Sequence, residues 1–165
     1  MSLIDAAVNY VYSLFRDNAG GHDAAHTLRV YQNAMLIAQQ EPDCDLEILA
    51  LSALLHDADD HKLFHTENNA NARYFLTQHD VETDKTERIC KAINAVSFSQ
   101  NRGKRPDSLE GMIVQDADRL DAIDVGHLHV DDDHAIILSF FMTALHFVDG
   151  FSAAMGDIRV KPKRG

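Results

Sequence analysis

The sequence predicts an all-α fold, and three observations carry that expectation. Between Gly21 and Gly103 there is no glycine and a single proline, Pro42, so this long stretch lacks the usual means of turning a hairpin. Apolar residues recur through it at three- and four-residue spacing, the period of one helix face. The 165 residues, 45% of them hydrophobic, suffice for one core and are few for two, so a single domain over 1–165 is expected.

Taken in order, Leu3 to Phe15 carries Leu3, Ala7, Val8, Val11 and Leu14 on one helical face and ends near Asn18-Ala19-Gly20-Gly21. A second helix runs from about Asp23 to Gln40 and stops before Pro42, whose predecessor is disfavoured in helical geometry. Asp43 and Asp45 can cap a third, Leu46 to Leu55, which is apolar almost all round and therefore belongs in the centre of the fold. After the polar stretch Asp57 to Glu67, a helix is expected around Asn68 to Gln78 and another from about Asp84 to Val96. Ser97 to Pro106, with Arg102, Gly103, Lys104 and Arg105, reads as a loop. Ser108 or Asp107 then caps a helix that runs to about Ile123. Ala135 to Val148 reads as a buried or interface helix, and its continuous apolarity suits a homodimer as readily as a core.

Charge and composition narrow the function. Lys and Arg total 15 against 26 Asp and Glu, a net charge of −11, which argues against a broad nucleic-acid-binding face and against adhesion to an anionic membrane. The apolar stretch Ala135 to Val148 is short of the roughly 20 residues that cross a bilayer. Met1 to Gly20 has no secretory-signal pattern, and Cys44 and Cys90 lie far apart without metal-binding spacing. Both features point to a cytoplasmic protein with reduced, packed thiols. Twenty of the 26 carboxylates are Asp, and there are ten His, the side chains that bind divalent metal through oxygen and nitrogen.

Three helices bring such ligands to faces expected to be buried. His26 shares a face with Val30, Ala34 and Ile37. The most apolar helix ends in His56-Asp57, and Asp116 is surrounded by Met112, Ile113, Ala117 and Leu120. Each alone has a simpler reading, as a hydrogen-bonded core histidine, a polar helix end or an Asp paired with an Arg. Together, two imidazoles and two carboxylates suit one divalent ion with positions left for water.

The order His26-Thr27-Leu28-Arg29-Val30, then Leu54-Leu55-His56-Asp57, then Ile113-Val114-Gln115-Asp116-Ala117-Asp118-Arg119-Leu120-Asp121 resembles the HD-domain metal-dependent phosphohydrolases over about residues 20 to 124. The resemblance implies an all-helical HD fold with His26, His56, Asp57 and Asp116 as ligands of one divalent metal ion, Mn or Mg first and Co, Ni, Fe or Zn as alternatives. It is nearest to small single-domain bacterial proteins, some of which are nucleotide pyrophosphohydrolases. The implied substrate is a nucleotide, with a (deoxy)nucleoside triphosphate split to monophosphate and pyrophosphate. A nucleoside monophosphate phosphatase and a non-catalytic metal- or nucleotide-binding module are the alternatives.

Asp60 and Lys62 resemble the family's Asp-x-Lys after the His-Asp pair, which implies proton transfer by Asp60 and a phosphate contact by Lys62. Arg29 and Arg119 each follow a ligand by three residues, on the same side of its helix, and either clamp phosphate or neutralise Asp57, Asp116 and Asp121. His22 precedes His26 by four residues, and the resemblance implies that it supports the ligands or meets the substrate rather than binding metal itself. His61 and His65 read as exposed loop histidines. The chain departs from its relatives at Ala24 and Ala25, where they carry bulky aromatics, and through 125–165, including Asp131-Asp132-Asp133-His134, which reads as a solvated helix cap.

Overall fold

In a computed structural model the chain is described over residues 1–16, 23–96 and 105–124. Backbone proximity divides the chain into Met1–His127 and Leu128–Gly165, and every described residue belongs to the first unit. His22, residues 97–104 of the expected loop and the apolar stretch 135–148 lie outside the described residues.

Six helices make up the described part: α1 (Leu3–Leu14), α2 (Ala24–Ile37), α3 (Leu46–Leu55), α4 (Ala70–Gln78), α5 (Thr83–Val96) and α6 (Leu109–Asp124). α1 opens on a reciprocal cap in which Ser2 Oγ accepts from Asp5 N at 3.1 Å and the Asp5 carboxylate accepts from Ser2 N at 3.0 Å. Asp23 caps α2 by accepting from His26 N at 2.7 Å. The last turn of that helix tightens into a 3₁₀ turn at Ala38–Gln40, and Glu41, kept out of helical geometry by the following proline, ends it at φ −120° and ψ 81°. Of the two aspartates expected to cap α3, Asp45 does so, accepting from Glu47 N and Ile48 N. Ser108 Oγ accepts from Gly111 N at the start of α6.

α3 holds the fold together. Every residue from Ile48 to Leu55 is buried, and the helix packs on α1, α2, α5 and α6. It divides two apolar layers. Ile48, Leu51, Leu54 and Leu55 face Val11, Phe15, Phe75, Leu76 and Ile89, while Leu49 and Ala53 face Val30, Ala34, Ile113, Val114 and Ala117. An apolar helix walled in on all sides cannot slide without exposing one layer, so its C-terminal end is a rigid place to mount His56 and Asp57.

Polar links fix how its neighbours dock. The buried Glu110 accepts from Asp45 N at 3.1 Å, joining the start of α6 to the start of α3, and Gln115 Nε2 donates to the Ala95 carbonyl at the end of α5. α4 starts two residues later than the sequence suggests, because Asn68 and Asn69 both take a left-handed φ of 55°, a conformation asparagine tolerates. Asn69 supplies no side-chain cap. Asp59, in the turn after α3, accepts instead from Asn71 N at 2.9 Å and Ala72 N at 3.0 Å, while Asn71 Nδ2 donates to the Ala58 carbonyl. Asp59→Ala is therefore expected to cost about 1 kcal/mol, the worth of a helix cap. Urea unfolding should show a lower midpoint with an unchanged slope.

Candidate metal centre

Four side chains from three helices converge where α2, α3 and α6 meet. His26 comes from the first turn of α2, His56 and Asp57 from the end of α3, and Asp118 from the middle of α6. Asp57 Oδ2 lies 3.5 Å from His26 Nε2 and 3.3 Å from His56 Nε2. Asp118 Oδ1 lies 3.3 Å from His26 Nε2 and 3.8 Å from His56 Nε2. The donor atoms of His26, His56 and Asp118 all fall within 4.8 Å of one another.

Both imidazoles are turned the same way. His56 Nδ1 donates to the Ala53 carbonyl at 2.8 Å, and His26 Nδ1 donates to Asp121 Oδ2 at 2.7 Å. Carbonyl and carboxylate oxygens only accept, so each ring carries its hydrogen on Nδ1 and turns Nε2 to the cluster. Among the described residues His56 Nε2 has no hydrogen-bond partner although it is fully buried, an arrangement that is costly unless something else fills the coordination. Two donors on one ion at about 2.1 Å from it stand about 3.0–3.4 Å apart, close to the separations here. His26, His56 and Asp118 fit a divalent ion, with Asp57 beside both histidines.

The electrostatics agree. Burial by itself lowers the pKa of His56, but Asp57, and then Asp118 and the Ala53 carbonyl, override it and push the ring up to about 9. Burial opposes ionisation of His26 too, and Asp118 and Asp121 together raise it above its ordinary value. Without a cation the pocket recruits protons to offset its carboxylates.

A family model for the HD domain matches residues 23–123. The chain belongs to the HD domain family. An uncharacterized Bacillus subtilis protein, YpgQ, is 39% identical over 119 residues, covering 69% of this chain and 57% of its own, so the chain spans little more than half the length of that curated relative. A solved structure described as a predicted HD superfamily hydrolase from an uncultured Thermotogales bacterium superposes with a TM-score of 0.61 at 29% identity, over 92% of each chain. An HD-superfamily hydrolase from Bacillus thuringiensis gives a TM-score of 0.58 at 29% identity, over 72% of this chain and 57% of its own.

Within this HD domain, the structure brings together His26, His56 and Asp57 of the sequence-derived ligand set and leaves Asp116 out. The Asp116 side chain is 61% exposed and lies 3.7 Å from Arg119. The reason is helical phase. Ile113, Val114, Ala117 and Asp121 lie on the buried side of α6, and Asp116 falls roughly 115° around the helix from the middle of that face. Asp118, one turn after Val114, occupies the place expected for Asp116. Asp121, which the sequence reading had only as a charge for Arg29 or Arg119 to neutralise, lies one turn after Ala117 and is 3% exposed. Each follows a buried apolar residue of α6 by one turn, Val114 for Asp118 and Ala117 for Asp121.

The other predicted residues that are described have the following partners. Arg29 is held by Asp121, with Nε 2.6 Å from Oδ1 and Nη2 3.0 Å from Oδ2. Asp60 accepts from Lys62 N at 2.8 Å and its carbonyl accepts from Leu63 N and Phe64 N, making the turn that carries Lys62 to the surface. Arg119 follows Asp118 and is 29% exposed. His61 and His65 are exposed, as expected. Cys90 is buried and Cys44 half-buried, and both are free thiols. Burial, with Glu110, Asp45 and Glu41 nearby, pushes the Cys44 thiol up to about 11, which keeps it protonated and inert. Among the described residues no helix is long and apolar enough to cross a membrane.

Proposed function

We propose that this HD domain is a metal-dependent phosphohydrolase that holds one divalent ion through His26, His56, Asp57 and Asp118. Nucleotides are the proposed substrates, (deoxy)nucleoside triphosphates first. The observation that carries the reading is His56: its Nδ1 is committed to the Ala53 carbonyl while its buried Nε2 faces the carboxylates of Asp57 and Asp118. The HD relatives described as hydrolases support the same conclusion. Mn or Mg is the proposed ion.

A divalent ion held there would supply Lewis acidity, acidifying coordinated water and polarising a phosphoryl oxygen. The protein's own share is positioning. His56 is 2% exposed at its side chain, His26 10% and Asp57 11%, whereas Asp118 is 30% exposed, so solvent and substrate reach the cluster from the Asp118 side. Arg119 flanks that opening in sequence and is proposed to meet phosphate there. Lys62 is proposed to contact a phosphate oxygen and Asp60 to move a proton, with the Asp60 turn setting the place of both. His22 is proposed to support the ligands or meet the substrate.

The deciding experiment measures metal content of the purified protein and then turnover with added Mn²⁺ on triphosphates, monophosphates and cyclic nucleotides. Release of pyrophosphate with a monophosphate supports the leading reading. Inorganic phosphate from monophosphates replaces it with a phosphatase, tight nucleotide binding without turnover makes the chain a binding module, and no bound metal sinks the proposal.

The pH dependence of metal binding has a definite sign. The ion requires neutral His56, which in the metal-free protein holds its proton up to about pH 9. Falling pH therefore sets protons against the ion. Apparent Mn²⁺ affinity is expected to rise by up to about tenfold per pH unit through neutral pH and to level off above about 9, with proton release seen as a buffer-dependent heat in calorimetry. An affinity that is flat between pH 6 and pH 8 would contradict ligation by His56.

A further inference from the structure

We propose that Asp121 and Arg29 are positioning residues that lock His26 as a nitrogen donor, a role that rests on the metal-site reading above. The juxtaposition is specific. α6 sets a carboxylate beside each nitrogen of the His26 ring, with Asp121 Oδ2 bonded to Nδ1 at 2.7 Å and Asp118 Oδ1 at 3.3 Å from the Nε2 that faces the cluster. Asp118 and Asp121 are three residues apart on one face of α6, as His26 and Arg29 are on α2. The α2–α6 seam thus carries two polar layers, one of donor atoms facing the cluster and one of supports beneath it.

The two histidines are supported by different means. His56 Nδ1 bonds to a carbonyl of its own helix, three residues back, so the fold of α3 alone orients it. His26 has its orientation set by a carboxylate on a distant helix, 95 residues along the chain. A carboxylate on Nδ1 fixes the tautomer and makes Nε2 a stronger donor than a carbonyl does. That carboxylate must itself be held, because Asp121 has only 4% of its side chain exposed. Arg29 holds it with a two-point contact from Nε and Nη2, the fork geometry that fixes the plane of a carboxylate as well as its charge. Sequence spacing left Arg29 open to either a phosphate clamp or a neutralising role, and the geometry favours the second: Arg29 orients Asp121, and Asp121 orients His26.

The test compares the wild-type chain with Asp121→Asn, Arg29→Gln, Arg29→Lys and His56→Ala. Mn²⁺ dissociation constants come from the paramagnetic resonance of free ion, and ring tautomers from long-range ¹⁵N NMR of the metal-free protein at alkaline pH. The wild type should bind one ion and His56→Ala should lose it. Asp121→Asn should weaken binding by about 10–100-fold, the usual effect of removing a ligand's hydrogen-bond partner. Its His26 should shift toward the Nε2–H tautomer while His56 stays Nδ1–H. Arg29→Gln should weaken binding less, in the same direction, and Arg29→Lys should recover part of that loss. Binding by Asp121→Asn within twofold of wild type, with an unchanged His26 tautomer, overturns the proposal. An Arg29→Gln variant that raises KM while leaving metal affinity untouched overturns the part given to Arg29. If the wild type binds no ion, the metal reading fails on its own and the tautomers still decide the positioning. A wild-type His26 found as the Nε2–H form overturns the proposal without any variant.

Discussion

Asp118→Asn is expected to lower Mn²⁺ affinity by more than about a hundredfold and to cut phosphohydrolase turnover at least as far, whereas Asp116→Asn leaves both within about twofold. Losing a residue that merely supports a ligand costs about 10–100-fold in affinity or activity, which sets the floor for losing a donor oxygen. Asp118 Oδ1 lies within 3.8 Å of both histidine Nε2 atoms. Asp116, two residues earlier, is 61% exposed and touches Arg119, so its substitution belongs with surface changes worth about 0.5 kcal/mol or less. Calorimetric Mn²⁺ titration and turnover on the same preparations check the pair. Equal losses in the two variants, or a larger one at Asp116, would remove Asp118 from the site.

The second large effect is on stability. Leu51→Ala is expected to cost about 2–5 kcal/mol, since Leu51 is completely buried in the helix that every layer of the core shares. For a chain of this length that corresponds to a fall in Tm of about 4–20 °C. Leu46→Ala, on the same helix but 51% exposed, should move it little. Leu51 is more than one turn before His56 and packs in the apolar layer with Val11, Phe75 and Ile89, so the folded fraction of Leu51→Ala should bind metal with wild-type affinity at low temperature. Differential scanning calorimetry with a metal titration at 10 °C separates the two effects. A variant that loses its affinity in proportion to its stability would mean that α3 does not hold the site rigidly.

These two predictions also mark where the sequence was legible. The all-helical fold followed from the missing glycines and the apolar spacing, and the central place of α3 from its having no polar face. Its terminal His56-Asp57 pair could be read as a site because a buried helix delivers whatever stands at its tip. α4 began later than expected because two consecutive asparagines took a left-handed conformation, which composition permits but does not announce. The choice between Asp116 and Asp118 was harder. Met112, Ile113, Ala117 and Leu120 all lie near Asp116 in sequence, yet Met112 and Leu120 are only partly buried. The face that packs runs through Val114 and Ala117, and that phase is set by contacts with α2, α3 and α5, which no local window contains. The same long-range docking hides Asp121, whose partners are 92 and 95 residues away.

The spread of the site along the chain bears on the order of synthesis. His26, His56 and Asp57 lie within α2 and the end of α3, while Asp118, and the carboxylate that holds His26, arrive only with α6. Growing chains fold from the N-terminal side as they emerge. A nascent chain that has completed α1 to α5 therefore presents an unfinished cluster, with His26 unsupported and a donor oxygen missing. On the proposed ligand set, capture of an ion would wait until α6 closes against α2, and that docking becomes the checkpoint for metal loading.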